Sequence, residues 1–119
     1  MLVVNRFRIG VDEADDFAEQ AGKALEALAA RPGYLWGQVG RAYDDPSFWT
    51  LTTEWESVGA YRRALGGFEV KVHATPLLAQ SVDEPSAYET LMTTGEDGAL
   101  RRSESDRAGG AGDALRSRS

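Results

Sequence analysis

Two strand-like segments joined by a short turn constrain the possible folds more than any other part of this sequence. The segments YLWGQVGRAY, at residues 34–43, and FWTLTTEWE, at residues 48–56, are rich in the aromatic and β-branched residues that favour strands. The residues DDPS between them are typical of a turn. Because so short a connection can join only antiparallel neighbours, the chain is predicted to contain an antiparallel hairpin that its other elements must cover.

The regions on either side of the hairpin each predict a strand and a helix. Before it, the strand-like run LVVNRF leads into apolar residues at helical spacing that end at the motif RPG. After it, Ser57 can cap a second helix, which Gly66 and Gly67 interrupt. In chain order, the predicted elements are strands at residues 2–9, 34–43, 48–56 and 87–92, with helices at residues 12–30 and 57–75. This β-α-β-β-α-β order predicts an α+β, ferredoxin-like fold with an antiparallel sheet.

The composition of the chain changes after residue 92. Residues 93–119 are dominated by Gly, Ser, Arg and Asp and contain few large apolar side chains. Such a segment cannot bury enough apolar surface to offset the entropy that it would lose on ordering. The sequence therefore predicts one folded domain at residues 1–92 and a disordered or loosely packed tail at residues 93–119.

Both faces of the two hairpin strands are predicted to carry large or uncharged side chains. Alternation assigns Trp49, Leu51, Thr53 and Trp55 to one face and Phe48, Thr50, Thr52 and Glu54 to the other, and it groups Tyr34 with Trp36 and Gln38. Two helices on one side of a four-stranded sheet leave the other side bare, and an apolar bare face marks an interaction site. The simplest cover is a second copy across a two-fold axis. A homodimer through the sheet face is therefore expected.

Charge and composition exclude several classes of function. The formal net charge is −6 at pH 7, and an acidic surface repels the phosphate backbone of nucleic acids. Cysteine is absent, which excludes thiolate catalysis, and the chain has one histidine, which argues against a zinc site. No apolar run approaches the roughly 20 residues that a membrane span needs, and the N-terminal segment lacks the features of a signal peptide. A cytoplasmic protein without nucleic-acid or membrane partners is expected.

Three motifs give the sequence a family resemblance. VVNRF in the first strand, RPGYLWGQVGRA after the first helix, and TEWESVGAYRRAL across the third strand and second helix resemble the antibiotic biosynthesis monooxygenase superfamily. The resemblance covers about residues 1–92 and implies a dimeric α+β barrel. Members of this superfamily include cofactor-independent oxygenases of polyketide quinone formation, haem-degrading oxygenases, isomerases and cyclases. The resemblance therefore specifies the fold more narrowly than the chemistry.

The oxygenase branch of this superfamily implies a chemistry without metal or flavin. Its substrates are electron-rich phenols or anthrones, which can pass an electron directly to oxygen once they are deprotonated. Such an enzyme needs an apolar pocket, hydrogen-bond donors that orient the substrate, and a proton acceptor. The resemblance implies a pocket between helix and sheet, lined by Trp49, Trp55, Tyr61 and Phe68, with Asn5 and Trp36 orienting oxygen atoms and His73 accepting a proton. A monooxygenase of small aromatic or polyketide-like molecules is expected, with no cofactor and no metal.

Two other functions are compatible with the same residues. Resemblance to the haem-degrading branch puts His73 at the position of the proximal haem ligand and makes Asn5 a candidate for the distal asparagine. That branch also carries a tryptophan on the second helix where this chain has Ala64, which argues against haem degradation but leaves haem binding open. The remaining alternative is a non-catalytic dimeric binding module, in which the tryptophans are packing residues and His73 is an exposed helix residue without a role.

Overall fold

The computed structural model of the protein describes residues 1–103. It divides the chain into two units, Met1–Tyr88 and a second unit that begins at Glu89. The strands of the first unit are β1 (Leu2–Arg8), β2 (Tyr34–Arg41), β3 (Phe48–Trp55) and β4 (Ala87–Tyr88). Its helices are α1 (Ala14–Ala29), α2 (Val58–Leu65), α3 (Phe68–His73) and α4 (Thr75–Leu78), and a 3₁₀ turn, Val11–Glu13, leads into α1.

The strands of the first unit form an antiparallel sheet in the order β2-β3-β1-β4. The central strands β1 and β3 pair along their length, with Asn5 opposite Leu51 and Phe7 opposite Trp49. Strand β2 extends the sheet on the far side of β3, as the predicted hairpin requires. Together with the helices that follow β1 and β3, this order confirms the predicted α+β, ferredoxin-like fold.

One face of this sheet is buried beneath the helices. Val3 and Phe7 of β1 are fully buried, and Trp55 of β3 retains only 1% exposure. The helices contribute mostly small side chains to the same core, including Ala21, Ala24, Ala27, Ala60, Ala64 and Ala74. Because alanines let a helix approach the sheet closely, the large aromatic side chains of the strands fill the layer between them. The face of β3 that carries Trp49 and Trp55 is the buried one.

Strand β2 departs from the predicted alternation at its first residues. Tyr34 lies opposite Trp55 and Trp36 lies opposite Glu54, so Leu35 forms a β-bulge between them. The extra residue moves Tyr34 to the helix-covered face and leaves Trp36 on the other face. The prediction that Tyr34 and Trp36 share a face is therefore wrong, because alternation assumes an unbroken ladder of pairs.

Two glycines occupy positions at which any side chain would clash with neighbouring atoms. Gly33 has a φ of +88°, and a Cβ there would lie 2.5 Å from the Cβ of Ala60. A Cβ on Gly37 would lie 2.8 Å from Leu25 Cδ1 and 2.9 Å from the hydroxyl oxygen of Tyr34. Helix α1 and the Tyr34 ring therefore pack directly against the backbone of β2. Glycine within a strand often marks such a close approach.

The first two helices after β3 begin and end close to where the sequence predicts. The Ser57 hydroxyl accepts a hydrogen bond from the backbone N–H of Ala60 at 3.0 Å and caps α2. Helix α2 stops before Gly66 and Gly67, and α3 begins after them, as the glycine pair predicted. A further break at Ala74 precedes α4, whose first turn contains a proline.

The chain after α4 differs from the single final strand predicted at residues 87–92. Strand β4 comprises two residues, which pair with Leu2 and Val3 of β1. In the second unit, β5 (Met92–Thr94) and β6 (Leu100–Arg102) form an antiparallel hairpin. This hairpin lies in a region that was expected to be disordered or loosely packed.

The turn of this hairpin has a local stabilising network that composition does not reveal. The Asp97 carboxylate accepts hydrogen bonds from the backbone N–H of Ala99 at 3.0 Å and from the Arg101 guanidinium at 2.6 Å. These bonds lower the pKa of Asp97, the one from Arg101 most strongly. The remainder of the predicted tail, residues 104–119, lies outside the described residues.

The sheet face opposite the helices carries apolar and uncharged polar side chains at its centre, and the charged residues Arg6, Arg8 and Glu54 lie on the same face. Thr52 lies near its centre, between Val4 of β1 and Gln38 of β2. Trp36 is 43% exposed on this face. We refer to the surface formed by Val4, Trp36, Gln38, Thr50 and Thr52 as the open face.

Candidate active site

Asn5 is a polar residue on the buried face of β1. Its neighbours on that face, Val3 and Phe7, are fully buried, whereas Asn5 retains 8% exposure. The Asn5 amide makes no hydrogen bond to any group within residues 1–103. Its residual exposure means that a water-sized molecule can reach the side chain, so Asn5 is available to bind a small polar group.

Trp49 supplies a second unpaired donor on the same face. Its ring is 7% exposed, and its indole Nε1 has no hydrogen-bond partner in the described part of the chain. Trp49 is the diagonal neighbour of Asn5 across β1 and β3, a relationship that separates Cα atoms by about 7–8 Å. The guanidinium of Arg41 lies 5.3 Å from the Trp49 ring, within the range of a cation–π contact. Asn5 and Trp49 together form a small polar region in an apolar layer.

A cavity of about 240 Å³ lies at the start of α1, and neither Asn5 nor Trp49 is among its lining residues. Its lining residues are Ile9, Glu13, Asp16, Phe17, Gln20 and Gln80. Phe17 also contacts two rings of the buried layer, with centroid distances of 5.0 Å to Phe7 and 5.2 Å to Trp49. Phe17 therefore connects the cavity wall to the aromatic surroundings of the two unpaired donors.

Trp55 is the centre of a second aromatic cluster on the buried face. Its ring centroid lies 5.5 Å from that of Tyr34 and 5.6 Å from that of Tyr61. Its indole Nε1 donates a hydrogen bond to Thr53 Oγ1 at 2.8 Å. Burial raises the pKa of the Tyr61 phenol. Because the indole N–H of Trp55 is already bonded, Trp55 can offer a ligand only the surface of its ring.

His73 lies in a different environment. Its Nε2 is 3.2 Å from Glu69 Oε2, and its side chain is 38% exposed. It belongs to a groove of about 380 Å³ between α1 and α3. The lining residues of this groove are Lys23, Glu26, Ala27, Ala30, Glu69 and His73. None of the other predicted site residues lines this groove.

The predicted site residues therefore separate into two groups. The buried layer beneath the helices contains four of them, namely Asn5, Trp49, Trp55 and Tyr61. Trp36 lies on the open face, Phe68 is 75% exposed, and His73 lies in the α1–α3 groove. Phe68 is the first residue of α3 and directs its ring to solvent, so it does not contribute to the buried layer in the described structure.

Sequence reasoning missed three residues that form or contact this layer. Helical spacing predicts no more for Phe17 than a place on the apolar face of α1, whereas in the structure it contacts both Phe7 and Trp49. Thr53 was read as a strand residue, although a hydroxyl two residues before a buried tryptophan can accept its indole proton. Arg41 was not considered, and its position over Trp49 depends on the register of β2 beyond the bulge. The Thr53 spacing is the signal that could have been found from sequence.

Within residues 1–103, no three His, Asp or Glu side chains are grouped closely enough to hold a metal ion. Ala64, which stands where haem-degrading relatives have a tryptophan, is 1% exposed in the core beneath α2. Over the same residues, no helix combines the length and apolarity of a membrane span.

Comparison with known proteins agrees with this fold. The family model for antibiotic biosynthesis monooxygenases matches residues 1–74. SnoaB, a cofactor-independent oxygenase from Streptomyces nogalater, is 29% identical in sequence, with a TM-score of 0.60 over 76% of this chain and 94% of SnoaB. A protein from Deinococcus radiodurans named for the same family is 19% identical, with a TM-score of 0.61 over 81% of this chain and 94% of that protein.

A conserved protein from Methanosarcina mazei Go1 has the same fold. It is 19% identical, with a TM-score of 0.60 over 72% of this chain and 84% of that protein. No curated protein matches the sequence significantly. The structural matches at 19% identity show the fold alone, whereas the family model covers more than half of the chain. The chain therefore belongs to the antibiotic biosynthesis monooxygenase family.

Proposed function

We propose that this protein is a cofactor-independent monooxygenase that oxidises a small electron-rich aromatic molecule beneath the helices, beside Asn5 and Trp49. The observation that carries the proposal is the buried indole N–H of Trp49, which has no partner in the described part of the chain, on the same sheet face as the solvent-accessible amide of Asn5. A buried indole N–H without a partner costs about 1–3 kcal/mol, a cost that is expected where a ligand supplies the missing partner. SnoaB, which is described as a cofactor-independent oxygenase, supports the same reaction class.

The proposed reaction converts an aromatic CH₂ group, such as that of an anthrone, into a carbonyl group. The substrate loses a proton to water, and the resulting carbanion reduces O₂. One oxygen atom enters the new carbonyl and the other leaves as water. The carbon gives four electrons and O₂ accepts four, so the reaction needs no external reductant. The protein then has to bind the rings, orient them and stabilise the oxygen that gains negative charge.

The residues of the buried layer can divide these tasks. The Asn5 amide and the Trp49 indole can each donate a hydrogen bond to a substrate oxygen as its charge increases. Phe7 and Phe17 provide apolar ring surface beside them. The pKa of Tyr61 is raised by burial, so its hydroxyl remains protonated at neutral pH and is a further donor.

The cavity beside Phe17 is the proposed entrance. Two of its lining residues, Glu13 and Asp16, carry negative charge at neutral pH, so a carboxylated substrate would be repelled. The other polar residues of its wall, Gln20 and Gln80, can donate hydrogen bonds to hydroxyl or carbonyl groups. We therefore expect a substrate that is uncharged before it is deprotonated, such as a hydroxylated anthrone.

Replacing His73 with alanine is expected to leave the oxygenation rate close to that of the unchanged protein. The imidazole pairs with Glu69 in a groove away from the proposed site, whereas a general base that acts on the substrate contributes about 10²–10⁴-fold. Oxygen uptake measured around neutral pH checks this, with Lys71→Ala, exposed on the same helix, as the control.

A loss in the 10²–10⁴-fold range confined to His73→Ala would restore His73 as the base. Haem titration of the unchanged protein and of His73→Ala addresses the haem-binding alternative. A Soret band that forms with the unchanged protein and disappears in His73→Ala would support haem ligation instead of the proposed site.

We also propose that two copies pair through the open face. Its central residues Val4, Thr52 and Gln38 are uncharged, and Trp36 adds an exposed aromatic ring. Aromatic residues and depletion of charge are typical of the centre of homodimer interfaces. Membership of the family supports the same assembly.

Oxygen consumption with a panel of hydroxylated anthrones and naphthols tests the proposed function. The expected result is uptake above the buffer rate for at least one neutral member of the panel and slower uptake for its carboxylated analogue. Uptake no higher than the buffer rate across the panel would instead support the non-catalytic binding module.

A further inference from the structure

We propose that Tyr34, Trp55 and Tyr61 form a path that carries an oxidising equivalent out of the buried layer, so that radicals formed during oxygenation do not damage the core. The oxidant comes from the proposed oxygenase reaction, so the biological role depends on that function. The path itself depends only on the three rings and can be tested without substrate.

The geometry of the three rings supports electron transfer between them. Trp55 lies between the two tyrosines, with centroid distances of 5.5 Å and 5.6 Å, which are contact distances for aromatic rings. Trp55 is 1% exposed, whereas both tyrosines are partly exposed. Tryptophan and tyrosine are the aromatic side chains that lose an electron most easily. The path therefore begins in the core and reaches partly exposed residues on either side of Trp55.

The aromatic cluster around Trp49, on the same sheet face, contains no ring that is as easily oxidised as tyrosine. Trp49 contacts Phe17, which contacts Phe7. Phenylalanine is far harder to oxidise than tyrosine. An oxidised Trp49 therefore has no ring in this cluster from which it can readily take an electron. Two tryptophans on one face of β3 thus have opposite surroundings, and only Trp55 is placed between electron donors.

The hydrogen bond of Trp55 also favours this role. Its indole N–H donates to Thr53 Oγ1 at 2.8 Å. When Trp55 loses an electron, its N–H becomes more acidic and bears part of the positive charge, which the hydroxyl oxygen of Thr53 stabilises. Since Thr53 is 2% exposed, the indole proton is not easily lost to water. The Trp55 radical cation therefore keeps its proton and remains a strong oxidant of the neighbouring tyrosines.

The transfer balances in three steps. A peroxyl radical that comes within reach of Trp55 takes one electron from it and one proton from water, which gives a hydroperoxide and the Trp55 radical cation. The cation takes one electron from Tyr61 or Tyr34, whose phenolic proton passes to water. A small thiol then gives a hydrogen atom to the tyrosyl radical and restores the phenol. Because burial raises the pKa of Tyr61, that residue starts the transfer in its protonated form.

Laser photoionisation tests the path directly. Replacing Trp36 and Trp49 with phenylalanine leaves Trp55 as the sole tryptophan, because the chain has three. In this background, we expect the Trp55 radical to decay as a tyrosyl radical forms. Transient absorption spectroscopy measures both changes. The conversion should be lost when Tyr34→Phe and Tyr61→Phe are combined, and it should persist in Tyr43→Phe, because Tyr43 is fully exposed on the turn between β2 and β3. Equal conversion with and without the two tyrosines would overturn the proposal, as would the absence of a tyrosyl radical in the Trp55-only background.

A measurement on the unchanged protein guards against loss of folding in the combined variants. After oxidation by a photosensitiser, peptide mass spectrometry should find modification at Tyr34 and Tyr61 in preference to Trp55. Predominant oxidation of Trp55 would contradict the path. Neither experiment involves substrate, so a failure of the proposed oxygenase reaction would leave both results interpretable.

Discussion

Replacing Asn5 with leucine is expected to abolish most of the oxygenase activity while making the protein more stable. Loss of one oriented donor to a developing oxyanion costs about 10²–10³-fold in rate. The same change replaces a buried amide that has no partner among residues 1–103 with an apolar side chain of similar size, which should raise the free energy of unfolding by about 1 kcal/mol. Oxygen uptake and urea unfolding measure the two effects on one sample.

The control for this variant is Leu51→Met. Leu51 lies opposite Asn5 on β3 and is 1% exposed, so the change disturbs the same layer without altering a polar group. A volume-conserving core substitution of this kind costs less than about 1.5 kcal/mol, and activity should remain. If Asn5→Leu keeps the full oxygenation rate, Asn5 is not the donor that the proposal requires.

Replacing Thr52 with arginine is expected to convert the proposed dimer into monomers. Thr52 lies at the centre of the open face, where its neighbours Val4 and Gln38 carry no charge. An unpaired charge buried at an interface costs about 3 kcal/mol. A two-fold interface would contain two such charges, so the dissociation constant should increase by about 10⁴-fold. Light scattering or sedimentation at micromolar concentration measures the change.

Ala18→Arg is the matched control for this prediction. Ala18 is exposed on α1, on the helical side of the sheet, so the same charge is added away from the open face. The control should remain dimeric and keep its activity. A monomeric unchanged protein, or a Thr52→Arg variant that stays dimeric, would contradict pairing through the open face.

The elements and the buried face of the central strands could be predicted because they depend on local patterns. The alternation in β3 assigned Trp49 and Trp55 to one face correctly, since β3 pairs with β1 without interruption. The cap at Ser57 and the break at Gly66 are equally local. Such signals need no knowledge of the rest of the chain.

The features that could not be predicted depend on contacts between distant residues. At the bulge, β2 has one more residue, Leu35, than β3 opposite it. The bulge brings Tyr34 into contact with Trp55. The location of His73 depends on how α3 packs beside α1, which sequence spacing does not specify. The hairpin at β5 and β6 depends on a few specific hydrogen bonds around Asp97 rather than on apolar composition.

The most direct test of the central claim is isotope labelling of the reaction with ¹⁸O₂. Metal-depleted protein is mixed with a hydroxylated anthrone, and mass spectrometry follows the quinone product. The account predicts that one oxygen atom from each O₂ enters the product carbonyl, that one O₂ is consumed per quinone formed, and that a chelator has no effect on the rate. Product formation at the buffer rate, or a rate that depends on added haem or metal, would contradict it.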